Sequence, residues 1–217
     1  MSSFILKIIA LTTMIIDHYG AIFQGDMTIL RIIGRLAFPI YCFLLVEGYY
    51  HTRNVKKYAL RLLIFALISE IPFDFAFYGG LYFLHQNIFF TLFIGLVAMY
   101  FLDNKDGKYK LPRVVVIIAA CVIASLLFTD YGSIGIIYIL AFYYVRNYGK
   151  FKKLQILSII MMLVNFGASI LQQFSLLSLL LIYFYNGEPG PQNKFLQILF
   201  YAAYPLHLIL FCFFKAM

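Results

Sequence analysis

Five ionisable side chains stand inside or beside apolar runs between Met14 and Gly48: Asp17, His18, Arg31, Arg35 and Glu47. A charge at mid-bilayer depth costs about 3 kcal/mol on insertion scales, so such groups pair, line water or do chemistry. Histidine is the side chain best placed to move protons near neutral pH. His18 sits toward the far end of the first apolar run, where the bland alternative is a hydrogen bond to a neighbouring helix. Asp17 is adjacent, but consecutive helical residues point about 100° apart. Its better partners are Arg31 and Arg35, four positions apart on one helix face. Such a pair would fix the first hairpin and line a working cavity.

Other polar groups lie deeper in the chain. Pro39 removes one helical hydrogen bond and frees the carbonyl of Arg35, which opens the second run at the depth of these charges. Glu70, Pro72 and Asp74 form a second acidic, kinked patch. Arg61 and Glu70 fall on opposite faces of one helix and need partners elsewhere, with Glu47 expected to meet Arg61 across a short loop. Asn87 and Thr91 share a face. Asn165, Gln172, Gln173 and His207 are of types that more often glue membrane helices than catalyse. No GxSxG, HExxH, P-loop or GxGxxG occurs, which argues against serine hydrolase, zinc protease and nucleotide hydrolase chemistry. Cys42, Cys121 and Cys212 lie in apolar runs at no metal or redox spacing, so no metal site is expected.

The elements that must position these groups are apolar. The chain of 217 residues is 64% hydrophobic and 12% charged, against about 25% charged in ordinary domains. Its mean hydropathy is +0.90. Runs of membrane-spanning character recur at about Phe4–Phe23, Ile29–Tyr50, Tyr58–Tyr78, Asn87–Leu102, Val114–Phe128, Ile134–Val145, Leu154–Leu171, Phe174–Tyr185 and Phe195–Phe214. The sixth and eighth are short. The expected fold is all-α: a polytopic integral membrane helix bundle of about nine spans around a polar central cavity, one domain over residues 1–217.

The net charge of +8 does not point to nucleic acid, because the basic residues cluster between apolar runs. His51, Arg53, Lys56 and Lys57 follow the second run. Lys105, Lys108, Lys110 and Arg113 follow the fourth, and Arg146, Lys150, Lys152 and Lys153 the sixth. The loops after the third, fifth and seventh runs carry no Lys or Arg. The positive-inside rule puts the basic loops and the amino terminus in the cytoplasm, in a multi-pass cell-membrane protein whose first helix is retained. The cluster from His51 to Arg61 also suits an anionic ligand.

Several ordered motifs carry a resemblance. IDHYG at Ile16–Gly20, LRIIGRLAFPIYCFLLVEG at Leu30–Gly48, Thr52, Asn54 and Tyr58, SEIPFD at Ser69–Asp74, the Asn87–Gly95 segment, YNG at Tyr185 and YPLHL at Tyr204 together resemble the TraX family. The best-known members acetylate the amino terminus of conjugative pilin. The family is similar to wider transmembrane acyltransferases, including the lysosomal heparan-α-glucosaminide acetyltransferase and the acyltransferase-3 group. The resemblance implies acetyl transfer from cytoplasmic acetyl-CoA to a peptide, sugar or lipid acceptor at the outer face. It implies an essential histidine at His18 with Asp17 beside it, an arginine at Arg35, and cavity carboxylates at Glu47 and Glu70. Arg31, His51, Arg53, Lys57, Arg61, Asn87, Asn186 and His207 join them as expected acyl-CoA or acceptor contacts, with Asn87 or Arg35 as oxyanion donors. Two rival readings remain open, a small proton-coupled transporter and a non-catalytic assembly partner; so does the oligomeric state.

Overall fold

The computed structural model describes residues 1–25, 29–103, 111–191 and 193–216. Helix α1 spans Ser3–Phe23, with the Ser2 hydroxyl capping Ile5. The second run is broken in two: α2 at Ile29–Gly34 and α3 at Ala37–His51. The break at Arg35–Leu36 lies one turn before Pro39, where that proline leaves a carbonyl without its helical donor. Helix α4 spans Val55–Tyr78 between an Asn54 cap and a left-handed Gly79. Then come α5 (Ile88–Asp103), α6 (Arg113–Leu126), α7 (Gly132–Val145) and α8 (Lys150–Phe166). A short helix α9 (Ile170–Gln173) leads through a 3-10 turn (Phe174–Leu177) into α10 (Ser178–Tyr183), and α11 spans Lys194–Ala216.

The architecture is all-helical among the described residues, and each expected apolar run is helical over most of its length, the second and eighth each in two pieces. The boundaries differ most between the seventh and eighth runs. The chain leaves α8 at Phe166 rather than Leu171, because Gly167 and Ala168 turn it and Ser169 caps a new helix. Lys105, Lys108 and Lys110 lie outside the described residues. Three stretches are long and apolar enough to cross a membrane: Ser3–Phe23, Ile29–His51 and Lys194–Ala216. Many large apolar side chains face outward, among them Leu60, Ile64, Leu67, Ile68 and Ile71 along one side of α4. A surface this apolar requires lipid or protein against it.

The helix ends sort into two groups. At one end the amino group of Met1 donates to the carbonyl of Phe184 and Ser3 N–H to that of Glu188, while Lys150 reaches the Tyr185 carbonyl. At the other, Lys215 near the end of α11 reaches the Ala76 carbonyl near the end of α4. The first end holds the basic segments after α3 and α7, and the second holds the loops after α4 and α6, which carry no Lys or Arg.

Helices α3, α5 and α7 cross closely at small residues. A Cβ on Gly135 would lie 2.5 Å from Thr91 Cγ2 and 3.1 Å from both Phe38 Cζ and Tyr131 Cβ. Over-packing of this kind costs about 1–3 kcal/mol. Gly135→Val should therefore lower the thermal midpoint of the detergent-purified protein, read with a dye that reacts with buried Cys42 on unfolding. Gly80→Val, where nothing lies within 4 Å, should leave it in place.

Candidate active site

Asp17 is the hub of the site. Its Oδ2 accepts from Arg31 Nη1 at 2.8 Å and Arg35 Nη2 at 2.6 Å. Arg31 also donates to the Asp17 backbone carbonyl at 3.1 Å, and Arg35 Nη1 to Gln172 Oε1 at 3.3 Å. One carboxylate thus ties α1 to α2, and the second arginine ties both to α9. The contact is close because position 34 is glycine: any Cβ there would collide with the Asp17 side chain. The paired arginines expected for Asp17 are both present.

His18 makes a different connection. Its Nδ1 lies 2.7 Å from His207 Nε2, and His207 Nδ1 lies 2.8 Å from the Ala203 carbonyl. A carbonyl oxygen only accepts, so His207 Nδ1 carries a hydrogen. In neutral His207, Nε2 is then an acceptor and His18 Nδ1 is the donor to it. That fixes the His18 tautomer and leaves its Nε2 as a lone-pair nitrogen. The rings stack at 5.0 Å, with Phe77 and Tyr204 packed edge-on against His18. Adjacent Asp17 does not touch His18; the partner comes from α11 instead.

Two loops complete the site. Gln86 N–H donates to the Phe128 carbonyl at 2.9 Å, and Asp130 N–H donates to the Gln86 carbonyl at 2.8 Å. The Thr91 hydroxyl donates to the Asp130 carbonyl. This clamp holds Asp130 Oδ1 3.5 Å from His85 Nε2, while the Tyr78 hydroxyl lies 2.5 Å from His85 Nδ1. Phe128 and Tyr131 take left-handed φ values of 52° and 62°. Such strain concentrates at functional sites. Tyr131 stacks on Phe38 at 3.9 Å, and the Arg35 guanidinium stands 6.0 Å from its ring centroid. The hydrogen bond to Asp130 raises the pKa of His85 above its ordinary value; burial opposes this, and the charges of Asp130, Glu70 and Asp74 add to the rise.

Asp17, His18, Arg31, Arg35, His85, Asp130, Tyr131 and Tyr204 border a cavity of about 130 Å³ with Phe38, Phe73 and Phe77. It lies near the end of the bundle that lacks basic loops, not at its centre. The polar lining comes from helix ends and loops, which bring groups that a packed bundle middle would leave unpaired.

The expected site residues divide between the two ends. Asp17, His18, Arg31 and Arg35 meet at the cavity, with His207 behind His18. Glu70 accepts from the Asn87 backbone at 3.2 Å and from its side-chain amide, which also donates to the Ala66 carbonyl at 2.8 Å. Both amide hydrogens of Asn87 are thereby engaged, so Asn87 is not an oxyanion donor. Glu47 lies at the basic end and pairs with Arg146 at 3.2 Å, His51 at 3.7 Å and the Tyr185 hydroxyl at 3.3 Å. The expected Glu47–Arg61 pairing does not form. Arg61 instead stands over the Tyr58 ring, on a helix that packs along α11. His51, Arg53 and Lys57 are exposed. Asn186 closes a turn with Glu188 against the amino terminus, at the basic end. Sequence reasoning gave no role to His85, Asp130, Tyr131 or Tyr204. The Asp-Tyr-Gly turn after α6 was the available signal, since it places a carboxylate where a helix must restart.

These features define an all-helical protein with membrane-length apolar helices and a buried ionisable cluster at one end. The chain belongs to the TraX family, whose model, described as TraX protein, matches residues 2–215. It is 32% identical to the "Probable fimbrial assembly protein FimC, serogroup H1" of Dichelobacter nodosus, over 97% of this chain and 94% of that protein. An uncharacterized protein of Rickettsia prowazekii (strain Madrid E) is 31% identical over 48% of this chain and 39% of its own length. No solved structure matches.

Removing Asp17 takes from Arg31 and Arg35 the carboxylate they share. Breaking a buried ion pair from one side costs about 3–5 kcal/mol. Asp17→Ala should lower the thermal midpoint more than Arg31→Gln, which leaves Arg35 to hold the carboxylate.

Proposed function

We propose that the chain is a multi-pass membrane acetyltransferase that moves an acetyl group from cytoplasmic acetyl-CoA to an amine at the outer face. The observation that carries this reading is His18, which borders a polar cavity and whose ring is fixed through His207 and the Ala203 carbonyl so that Nε2 keeps its lone pair. The nine helical runs serve as spans, with the amino terminus and the basic end in the cytoplasm. A family relative named for fimbrial assembly supports a pilus or fimbrial subunit as the first acceptor to test.

In this reading the exposed His51, Arg53 and Lys57, with Arg61 behind them, attract the phosphates of the donor. The acceptor nitrogen attacks the thioester carbonyl while His18 Nε2 takes a proton from it. A nitrogen–carbon bond forms, the carbon–sulfur bond breaks, and the departing thiolate receives a proton from His18. Arg31 and Arg35 border the cavity beside Asp17, and they stabilise negative charge on the carbonyl oxygen. His207 touches no reactant here and acts as a positioning residue.

The purified protein should release free thiol from acetyl-CoA only when an acceptor peptide amine is added. His18→Ala should lower that release by about 100-fold or more; release at the wild-type rate from this variant would remove the catalytic assignment. His207→Phe should lower kcat with little change in KM, while His207→Asn, which retains an acceptor, should recover part of the loss. Membrane sidedness is read by labelling: a cysteine at Phe83 should react from outside intact cells, and one at Arg53 only after permeabilisation.

A further inference from the structure

The transfer has a proton left over. An acceptor arriving as an ammonium has three hydrogens on nitrogen; the amide keeps one and the thiol takes one. The last leaves as a proton, from a site where His18 is 9% exposed and hemmed by Phe77, Tyr204 and His207. A buried imidazole that held it would be unable to start a second cycle.

The same cavity wall carries a second histidine that His18 chemistry does not use. His85 borders the cavity with Asp130 on its Nε2 side and the Tyr78 hydroxyl on its Nδ1 side. Tyr78 stands at the end of α4, is 43% exposed, and has Tyr82 stacked on it at 4.1 Å. The row therefore runs from a polar cavity, roomy enough to hold water, to the surface of the end without basic loops. We propose that Asp130, His85 and Tyr78 form the path by which the proton of each turnover leaves the cavity for the outer face.

The proposal rests on the acetyl-transfer reading and extends it to how the site resets. Asp130 is a carboxylate and only accepts, so His85 Nε2 carries the ring hydrogen and Nδ1 is the basic nitrogen. Nδ1 takes the proton from cavity water to give the imidazolium, then releases it from Nδ1 to water beside the Tyr78 hydroxyl, which leaves the ring in its starting tautomer. The charges facing the ring are Asp130 from the loop after α6, and Glu70 and Asp74 from α4. All three are carboxylates and favour the charged ring, while the cations of the same cavity, Arg31 and Arg35, are held by Asp17.

The test compares wild type, His85→Ala, His85→Gln and Asp130→Asn by acceptor-dependent thiol release across pH. Both His85 variants should lose roughly tenfold in turnover. Imidazole added to the medium should restore part of the loss in His85→Ala. In wild type, activity should fall as pH drops through the raised pKa of His85, because a protonated ring cannot take the next proton. Asp130→Asn removes the largest cause of that rise, so its acidic limb should move about one pH unit lower. Wild-type turnover with His85→Ala unchanged in rate and pH profile would overturn the path while leaving acetyl transfer in place. A loss with no imidazole rescue and an unmoved limb would make His85 a structural residue and overturn it equally. Absence of thiol release from wild type itself would remove acetyl transfer, and the path with it.

Discussion

One carboxylate holds the site together. Asp17 accepts from Arg31 on the following helix and Arg35 just past its end, and the contact exists because glycine at position 34 lets the backbone of α2 come against the Asp17 side chain. Taken singly, each of these charges would be costly in apolar surroundings; as a cluster they compensate one another and cross-link three elements. The broken second run follows from the same need. Arg35 stands at the break before Pro39, where the chain leaves helical geometry and its side chain reaches back to Asp17 and across to Gln172. Loss of regular backbone at that point is what allows one side chain to serve two helices.

The second constraint is directional. A hydrogen-bond chain that begins at a backbone carbonyl has no freedom in its donors: Ala203 accepts, His207 relays, and His18 donates. Which nitrogen of His18 keeps its lone pair is thus decided by an atom two hydrogen bonds away on α11. The other histidine of the cavity is held differently, by a carboxylate and a phenol, which stabilise its charged form rather than its neutral one. Two imidazoles with opposite biases border one small space.

The sequence made the helices legible because most of the apolar runs are long and all are bounded by charges or turn residues. It also made the Asp17 pairing legible, since partners across one tight hairpin follow from helix periodicity. The misses share a cause. His207 lies 189 positions from His18, and Arg146 lies 99 from Glu47. Which of several distant spans packs against which is a property of the assembled bundle, not of any local pattern. Arg61 was assigned to Glu47 for proximity in sequence, yet it stands over the Tyr58 ring on a helix that packs along α11. Asp130 and His85 were hidden for a further reason. Their meeting depends on a two-bond bridge between loops and on left-handed backbone at Phe128 and Tyr131, neither of which has a residue signature as clear as glycine.

The separation of the two ends makes physical sense of the acetyl-transfer reading. Ser3 and His18 are fifteen positions apart on one helix, or about 22 Å at 1.5 Å per residue. Between them the buried face of α1 is Leu6, Ala10, Thr13 and Met14, none of which compensates a charge. A charged reactant carried through that region would pay the full penalty of leaving water. An acetyl thioester is neutral at its reacting end, so only the phosphates need remain at the basic face. The acceptor's charge stays on the other side, where Asp130 and the carboxylates of α4 lie. In the proposed reading that apolar middle is the insulation: it admits only an uncharged acyl group and keeps each set of charges at its own end of the bundle.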